Sequence, residues 1–227
     1  GDEGFAGYSW RCGLNRLESR VRRFVPTWAR PVLGPLSSVW PKADWLPRPL
    51  RWKFFLRNMS LPPEHAYFHD MSLFTPEDKR RLLTSDFRRS LGDYDPAMDF
   101  ERHFSRTKGL DHLSRILYVD TKTWLANDIL VEVDRMSMAS SLEVRAPLPA
   151  HHVLGVAART PPHLKLHGTT SKYLLKRHLE TRVPRDFVHR PKMGFSIPLA
   201  AWLRGELRDM ARDLVLSSRS QARGYFT

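Results

Sequence analysis

Several features that mark whole classes of protein are scarce or missing in this sequence. A single cysteine, Cys12, among 227 residues cannot form an internal disulfide, which argues against a disulfide-stabilised secreted domain. No stretch approaches about 18 uninterrupted apolar residues, so a transmembrane helix is excluded. The chain shows no basic-then-apolar leader at Gly1, as a secretory signal would require. We therefore expect a soluble, cytoplasmic protein with no membrane partner.

Acidic residues are the other scarce class. Lys and Arg number 37 against 24 Asp and Glu, which gives a formal net charge of +13. The excess is concentrated in residues 11–58, where eleven basic residues stand against two acids, Glu18 and Asp44. A basic surface attracts anions of many kinds, including nucleic acid, nucleotide phosphates and acidic lipid headgroups. Charge alone does not choose among these partners.

Strand-like alternation and internal repeats are also absent, whereas helical patterns recur. Hydrophobic residues make up 41% of the chain, enough for a real core. Periodicity, capping residues and prolines predict helices over 10–25, 75–91, 120–142, 170–182 and from 198 through 207. In the third of these, Asp120 is the expected N-cap and the apolar face is Leu125, Ile129, Val133 and Met136. The fold class is therefore mainly α, with long irregular loops.

Residues 26–63 combine prolines and tryptophans. They hold eight of the 17 prolines and four of the seven tryptophans, so long helices are not expected there. The favoured interpretation is a connector, within a basic Pro/Trp-rich segment over 9–74. An alternative is a base-stacking surface, which needs interleaved aromatic and cationic side chains. That mixture is supplied by Arg48, Arg51, Trp52, Lys53 and Phe54.

Three segments carry residue types suited to chemistry. In Gly1-Asp2-Glu3, glycine lets the backbone approach a ligand and the carboxylates could hold a hard cation. In residues 134–147, alternating charges beside apolar residues favour an internal ion-pair network, read as scaffold behind a site. In residues 189–198, Lys192 follows a proline and precedes Gly194, an arrangement that could fix one cation against a phosphate.

At these segments the sequence resembles a known family. The strings YVDTKTWLANDILVEVDRMSMASSLEVRAP, SKYLLK and HRPKMGFSIPLAAWLR resemble, in order and spacing, the synthetase domain of glutamine-hydrolysing asparagine synthetases. The string GDEGFAGY is similar to the glycine-rich D-E-L-F-x-G-Y turn of that family. The resemblance implies that residues 1–227 are the helical C-terminal portion of an α/β adenine nucleotide alpha hydrolase-like (PP-loop ATP pyrophosphatase) domain. Within it, 1–8 would be a site turn, 9–74 the connector and 75–227 a helical core.

The resemblance also implies a reaction. ATP would adenylate the side-chain carboxylate of aspartate with release of pyrophosphate, and ammonia derived from glutamine would displace AMP to give asparagine. ATP and Mg²⁺ are the implied cofactors, because adenylyl transfer concentrates negative charge that cations stabilise. A glutaminase domain is the implied partner, and a homodimer is an assembly open to the protein.

Site residues follow by matching the family's motifs position by position. Asp2 matches the acid that assists Mg²⁺–pyrophosphate binding. Lys192 matches a lysine that contacts phosphate or the adenylate, and Lys172 matches a lysine facing the nucleotide. The scaffold or substrate-contacting positions implied by the D-R-x-S-M…E-x-R-x-P string are Asp134, Arg135, Glu143 and Arg145, with Asp128 as an additional acid near the site.

The sequence departs from the family pattern at several positions. Ala150 stands where the family has Asp, Lys176 where it has Arg, and Gly4 where it has a large apolar residue. The family's S-G-G-x-D-S pyrophosphate loop is not among these residues, and we expect it, with the glutaminase domain, upstream of Gly1. We therefore expect an internal piece of a longer enzyme that is inactive by itself.

Two other functions remain open from the sequence. One is a related amidotransferase-like ligase that acts on another carboxylate, in surface-polysaccharide or secondary-metabolite synthesis. The other is a non-enzymatic module whose basic residues 11–58 bind nucleic acid, which we regard as the weaker alternative because a run of charge is usually a solvated face.

Overall fold

The computed structural model of the chain describes residues 1–40, 52–190 and 197–227. Helices dominate these residues, as the sequence predicts. The described residues form a single sheet, in which β1 (Leu166–His167) pairs antiparallel with β2 (Thr170–Ser171). Gly168, at a φ of 58°, lies in the tight turn between the two strands, a conformation that glycine adopts without steric cost.

The helices are short, and most begin or end at proline, glycine, Ser/Thr or Asp. In chain order they are α1 (Asp2–Phe5), α2 (Ser9–Arg22), α3 (Arg30–Val39), α4 (Lys53–Ser60), α5 (Pro63–Met71), α6 (Pro76–Leu82), α7 (Ser85–Ser90), α8 (Ala97–Ser105), α9 (His112–Asp120), a π-helix (Thr121–Ile129), α10 (Leu130–Met138), α11 (His151–Arg159), α12 (Pro162–Lys165), α13 (Tyr173–Leu179), α14 (Arg185–Val188), α15 (Leu199–Arg204), α16 (Arg208–Leu216) and α17 (Ser218–Gln221).

The larger of two compact units comprises residues 1–71 and 96–189. Its core brings together one face of α2, α5, α8 and α9. The buried members of this core are Ala6, Cys12, Tyr67, Phe104, Leu113, Ile116, Leu117, Val119 and Leu166. Aromatic edges meet there, with the rings of Tyr67 and Phe104 nearly perpendicular at 5.9 Å, a favoured geometry for aromatic pairs. The core places α1 and the start of α2 against α9 and the π-helix.

The longest helical stretch runs without a break through α9, the π-helix and α10. It begins earlier than the sequence predicts, because Asp111 caps it by accepting a hydrogen bond from the Ser114 amide at 3.0 Å. The prediction of Asp120 as N-cap is therefore wrong, since Asp120 lies inside the helix and is buried. The expected apolar face is buried only at Leu125, whereas Met136 is 70% exposed.

The Pro/Trp-rich region is more helical than expected. Helix α3 is ten residues long and contains Pro35 in its interior, and it packs along α4. Gly34 faces α4, where a Cβ would lie at ordinary contact distance, 3.5 Å, from the Ser60 hydroxyl. Segment 9–74 also contributes α2, α4 and α5 to the larger unit, while the domain limits stay a prediction.

The basic and aromatic residues of the base-stacking alternative are only partly described. Arg48 and Arg51 lie outside the described residues. Trp52 and Phe54 are about half exposed, and the Trp52 ring meets Phe55 edge-on at 5.4 Å. This one contact does not remove Trp52 from solvent, and the base-stacking alternative stays a prediction.

The smaller unit comprises residues 72–95 and 190–227. The helix predicted over 75–91 is present as two helices, because Thr84 starts α7 by accepting a hydrogen bond from the Phe87 amide. Thr75 caps α6 as expected, in a reciprocal capping box with Asp78. An antiparallel bridge joins Leu83 to Phe226 and holds the C-terminal residues against this pair of helices. None of the helices in the described parts of either unit is long and apolar enough to cross a membrane.

Candidate functional site

Residues 1–8 fold into a tight turn built on α1. The turn closes because Ala6 takes a left-handed conformation, at a φ of 55°, and the Gly7 amide donates to the Asp2 carbonyl at 2.8 Å. Glu3 and Phe5 are buried, so the turn is anchored on both sides. Packing against α9, α11 and α13 fixes its position in the larger unit.

The structure brings two of the predicted site residues together. The Lys172 ammonium forms an ion pair with the Asp2 carboxylate. Lys172 has a left-handed backbone, at a φ of 53°, and its amide donates to the Phe5 carbonyl at 3.1 Å. Gly7 lies directly against this pair, where a Cβ would overlap both the Asp2 carboxylate and the Lys172 stem. Backbone and side chain together therefore hold Lys172 over the turn.

Behind the pair, Glu3 and Tyr8 form a second polar contact. The Tyr8 hydroxyl donates to the Glu3 carboxylate at 2.8 Å and accepts a hydrogen bond from the Trp124 indole at 3.1 Å. Burial and the nearby Glu3 carboxylate raise the pKa of Tyr8, so its hydroxyl stays protonated. Trp124 comes from the π-helix, a type of element often found at functional sites.

The other predicted site residues lie elsewhere or in other environments. Lys192 lies outside the described residues. Asp128 is half-buried in the π-helix, and Asp134 and Arg135 are exposed on α10. In the described part of the chain, no hydrogen bond or ion pair joins these three side chains to the Asp2–Lys172 pair.

The expected internal ion-pair network over 134–147 is wrong for the described residues. Glu143 and Arg145 pair at 2.6 Å, but their side chains are 69% and 83% exposed. They follow the end of α10, in a stretch whose side chains are exposed up to Pro149. Because no described element covers that stretch, the pair is solvated and contributes little to stability.

Sequence reasoning missed the buried polar residues beneath the turn. Arg11 donates to the Asp120 carboxylate at 2.8 Å, and the Tyr67 hydroxyl donates to the other oxygen of the same carboxylate. Burial raises the pKa of Asp120 to about 6, although Arg11 opposes the shift. Of these residues, the sequence analysis singled out only Asp120, which the helical pattern assigned as an N-cap.

A metal-binding set is not complete among the residues that the structure describes. No group of three His, Cys, Asp or Glu side chains there could hold an ion. Asp2 offers one carboxylate. This fits Mg²⁺ only if the ion keeps several water ligands and is otherwise bound mainly through the phosphates of the substrate.

Comparison with known proteins identifies the family. The profile of the asparagine synthase family matches residues 1–227. The chain belongs to the asparagine synthase family. This confirms the resemblance carried by the GDEGFAGY turn and the motif strings.

Individual relatives agree with the family match. Asparagine synthetase 1 of Bacillus subtilis is 29% identical over 227 residues, covering 97% of the chain and 33% of the relative. A protein of Mycobacterium tuberculosis, provisionally named a glutamine-hydrolysing asparagine synthetase, is 36% identical over 220 residues, covering 96% and 32%. The chain thus spans about a third of the length of these curated relatives. No solved structure matches the chain significantly.

Family membership gives meaning to Ala150, where the family pattern has Asp. Ala150 is the N-cap residue of α11 and provides no side-chain hydrogen bond to the helix. Asp is among the preferred residues at this position, because its carboxylate accepts from the free amides of the first turn. With Ala150 in this position, the first turn of α11 has no side-chain cap.

Proposed function

We propose that the chain is the nucleotide-facing helical part of a glutamine-dependent asparagine synthetase. The observation that carries the proposal is the Asp2–Lys172 pair, held by the turn and by Gly7. Both residues match family positions that serve the nucleotide, and they come from segments far apart in the chain. Family membership over the whole chain supports the use of ATP.

In the proposed reaction, an oxygen of the aspartate side-chain carboxylate attacks the α-phosphorus of ATP. Pyrophosphate leaves and a β-aspartyl adenylate forms. Ammonia released from glutamine then attacks the acyl carbon. The bond between that carbon and the bridging oxygen breaks, and AMP leaves with this oxygen. Asparagine, AMP and pyrophosphate are the products, with the ammonia proton passing to solvent or a nearby base.

The chain's own residues would act mainly on the pyrophosphate side. Lys172 presents an ammonium next to Asp2, so that an arriving phosphate would take over a cation already in position. Asp2 would turn toward a Mg²⁺ bound to the phosphates, which supplies charge neutralisation when present. Lys192 is proposed, from the family motif alone, as a second cation at the phosphates or the adenylate.

The remaining motif residues have a supporting role in the proposal. Asp134, Arg135, Glu143 and Arg145 would contribute to the scaffold or to aspartate binding in the longer protein, with Asp128 as a further acid. The glutaminase activity, and the S-G-G-x-D-S loop that the family uses for pyrophosphate, would be supplied by other parts of that protein.

The test uses the full-length protein that carries this chain. AMP and pyrophosphate formation is measured with aspartate, Mg²⁺, ATP and ammonium, for the wild type, Asp2→Asn and Lys172→Met. We expect each variant to lose at least about 10-fold in kcat/KM, because each removes a charge that faces the transferred group. Asp86→Asn and Lys108→Met, at exposed sites, are the matched controls and should retain activity.

Other outcomes would redirect the assignment. Product formation with a carboxylate other than aspartate would favour the related ligase. Wild-type activity in both site variants would refute the role of the Asp2–Lys172 pair.

A further inference from the structure

A buried polar network lies beneath the α1 turn, and none of the site roles assigned from the motifs accounts for it. Its centre is the Asp120 carboxylate, only 1% exposed, which accepts from Arg11 at 2.8 Å and from the buried Tyr67 hydroxyl. Taking such a charge pair out of water costs free energy that well-packed apolar side chains would not incur. The network therefore calls for an explanation beyond stability.

Arg11 connects this network to the turn through the Tyr8 ring. The guanidinium carbon lies 4.2 Å from the centre of that ring, within the range of a cation–π interaction. The Arg11 guanidinium also contacts the Met71 sulfur, a weak hydrogen-bond acceptor. With one edge held by Asp120 and another by Met71, the guanidinium is a fixed platform for Tyr8.

Tyr8 in turn holds the acidic part of the turn. Its hydroxyl donates to Glu3, the residue next to Asp2, and is itself fixed by the Trp124 indole. Asp120 and Trp124 lie at the two sides of the α9/π-helix junction. One continuous helix thus contacts Tyr8 twice, from below through Arg11 and at the hydroxyl through Trp124.

We propose that the Arg11–Asp120 pair positions the site: acting through Tyr8 and Glu3, it fixes the turn so that Asp2 faces Lys172. This inference rests on the proposed function. Arg11 and Asp120 contact neither Asp2 nor Lys172 in the described hydrogen bonds and ion pairs, so they are positioning residues. Residues that orient a metal ligand typically change metal affinity or activity by about 10- to 100-fold when they are replaced, and the proposed function makes Asp2 such a ligand.

The experiment compares two arginines that share burial and chemistry. Arg115 is, like Arg11, 18% exposed, lies over an aromatic ring (Phe104, at 5.1 Å) and pairs with a carboxylate (Glu64, at 2.6 Å). In the full-length protein, we expect Arg11→Met to lower kcat/KM by at least about 10-fold. Arg115→Met should also lower the melting temperature, though by less because Glu64 is 25% exposed and Asp120 only 1%, and should leave kcat/KM within about 2-fold.

Two further variants separate positioning from general stability. Arg11→Lys keeps a cation over the ring and should recover much of the activity lost in Arg11→Met. Tyr8→Phe keeps the ring but removes the contact to Glu3, so Arg11→Met should have a much smaller additional effect in that background. If Arg11→Met does not fold, Tyr8→Phe alone still tests the connection, because it removes the contact to Glu3 and should lower kcat/KM by itself.

The outcomes distinguish this inference from the function on which it rests. Full activity of both Asp2→Asn and Lys172→Met would refute the role of the Asp2–Lys172 pair, on which this inference rests. Two outcomes would refute the positioning role while leaving the proposed function intact, provided that Asp2→Asn loses activity. One is an equal effect of Arg11→Met and Arg115→Met on kcat/KM. The other is an additive effect of Arg11→Met and Tyr8→Phe.

Discussion

Gly7 occupies a position where a hydrogen atom fits and a methyl group does not. Its α-carbon lies so close to the Asp2–Lys172 pair that any side chain would displace one of the two charges. Gly7 is not in the left-handed region, so the requirement is purely one of space. This distinguishes it from a glycine needed for backbone conformation.

We therefore expect Gly7→Ala to separate Asp2 from Lys172. Overpacking of this kind typically costs about 1–3 kcal/mol of stability, measurable by urea denaturation of the chain. In the full-length protein, AMP formation should fall at least about 10-fold.

Gly13→Ala on α2 is the matched control for this prediction, since a Cβ there meets nothing within 4 Å. That substitution should stabilise the helix by up to about 1 kcal/mol and leave the activity unchanged. Equal behaviour of the two alanine variants would contradict the steric explanation.

Glu18 is a buried acid whose environment opposes its charge. Burial raises the pKa of Glu18 to about 7, and the nearby Asp70 adds to the shift, although the Asn58 amide donates to Glu18 at 2.8 Å. The folded chain therefore keeps a proton on Glu18 between the unfolded value of about 4.5 and 7. Stability from this group is fully present below the unfolded pKa and is lost as pH rises through the folded one.

Glu18→Gln should accordingly stabilise the chain at pH 8 relative to the wild type, by up to about 3 kcal/mol. The difference should shrink toward zero near pH 4, because glutamine imitates the protonated acid. Urea denaturation of both proteins at several pH values measures this difference. The contributions of the other titrating groups cancel, because the two proteins share them. Glu132→Gln, at an exposed site, should show no such trend, and a pH-independent difference for Glu18→Gln would contradict the assignment.

At the scale of elements, helix α11 begins without the cap that the family pattern would supply. Ala150→Asp should stabilise the chain by about 1 kcal/mol, measured as a rise in the urea midpoint at unchanged m-value. Ala158→Asp, in the last turn of the same helix, places the same charge at the wrong end of the dipole and should destabilise it. If both substitutions stabilised the chain, the lower net positive charge, and not the helix cap, would be the cause.

The helices illustrate what sequence can and cannot predict. Helix α2 and the Thr75 cap follow from periodicity and local hydrogen bonding, and both were predicted. The interruption at Thr84 was not, because a threonine inside a helical pattern does not show by itself that its hydroxyl accepts from the Phe87 amide and starts a new helix. Asp120 was wrongly assigned as a cap, because a buried carboxylate can be recognised only once Arg11 and Tyr67 are known to surround it.

For the candidate site, the motif strings identified the residue types, and the structure added their geometry. Asp2 and Lys172 were chosen separately and lie together. The charges over 134–147 were expected to be internal, but alternating charge does not reveal which elements cover a segment. Arg11 was missed because it belongs to no motif and acts through a ring.

At the scale of the whole molecule, the family match covers the entire chain while the chain covers a third of its curated relatives. We expect the 227 residues alone to bind Mg²⁺–pyrophosphate weakly and to make no AMP from ATP and aspartate. Incubation of the purified chain with these substrates and ammonium, followed by nucleotide separation, checks this. Aspartate-dependent AMP from the isolated chain would show that the expectation of inactivity is wrong.

The contact between Lys172 and the α1 turn also has a consequence in time. Asp2 is synthesised about 170 residues before its partner, which at roughly 5–20 residues per second is a delay of about 10–30 s on the ribosome. Throughout that interval the nascent turn carries an acid without its lysine, so an early folding intermediate can hold the shape of the turn but not its charge balance. Formation of the Asp2–Lys172 pair is therefore a late event in the synthesis of each new chain.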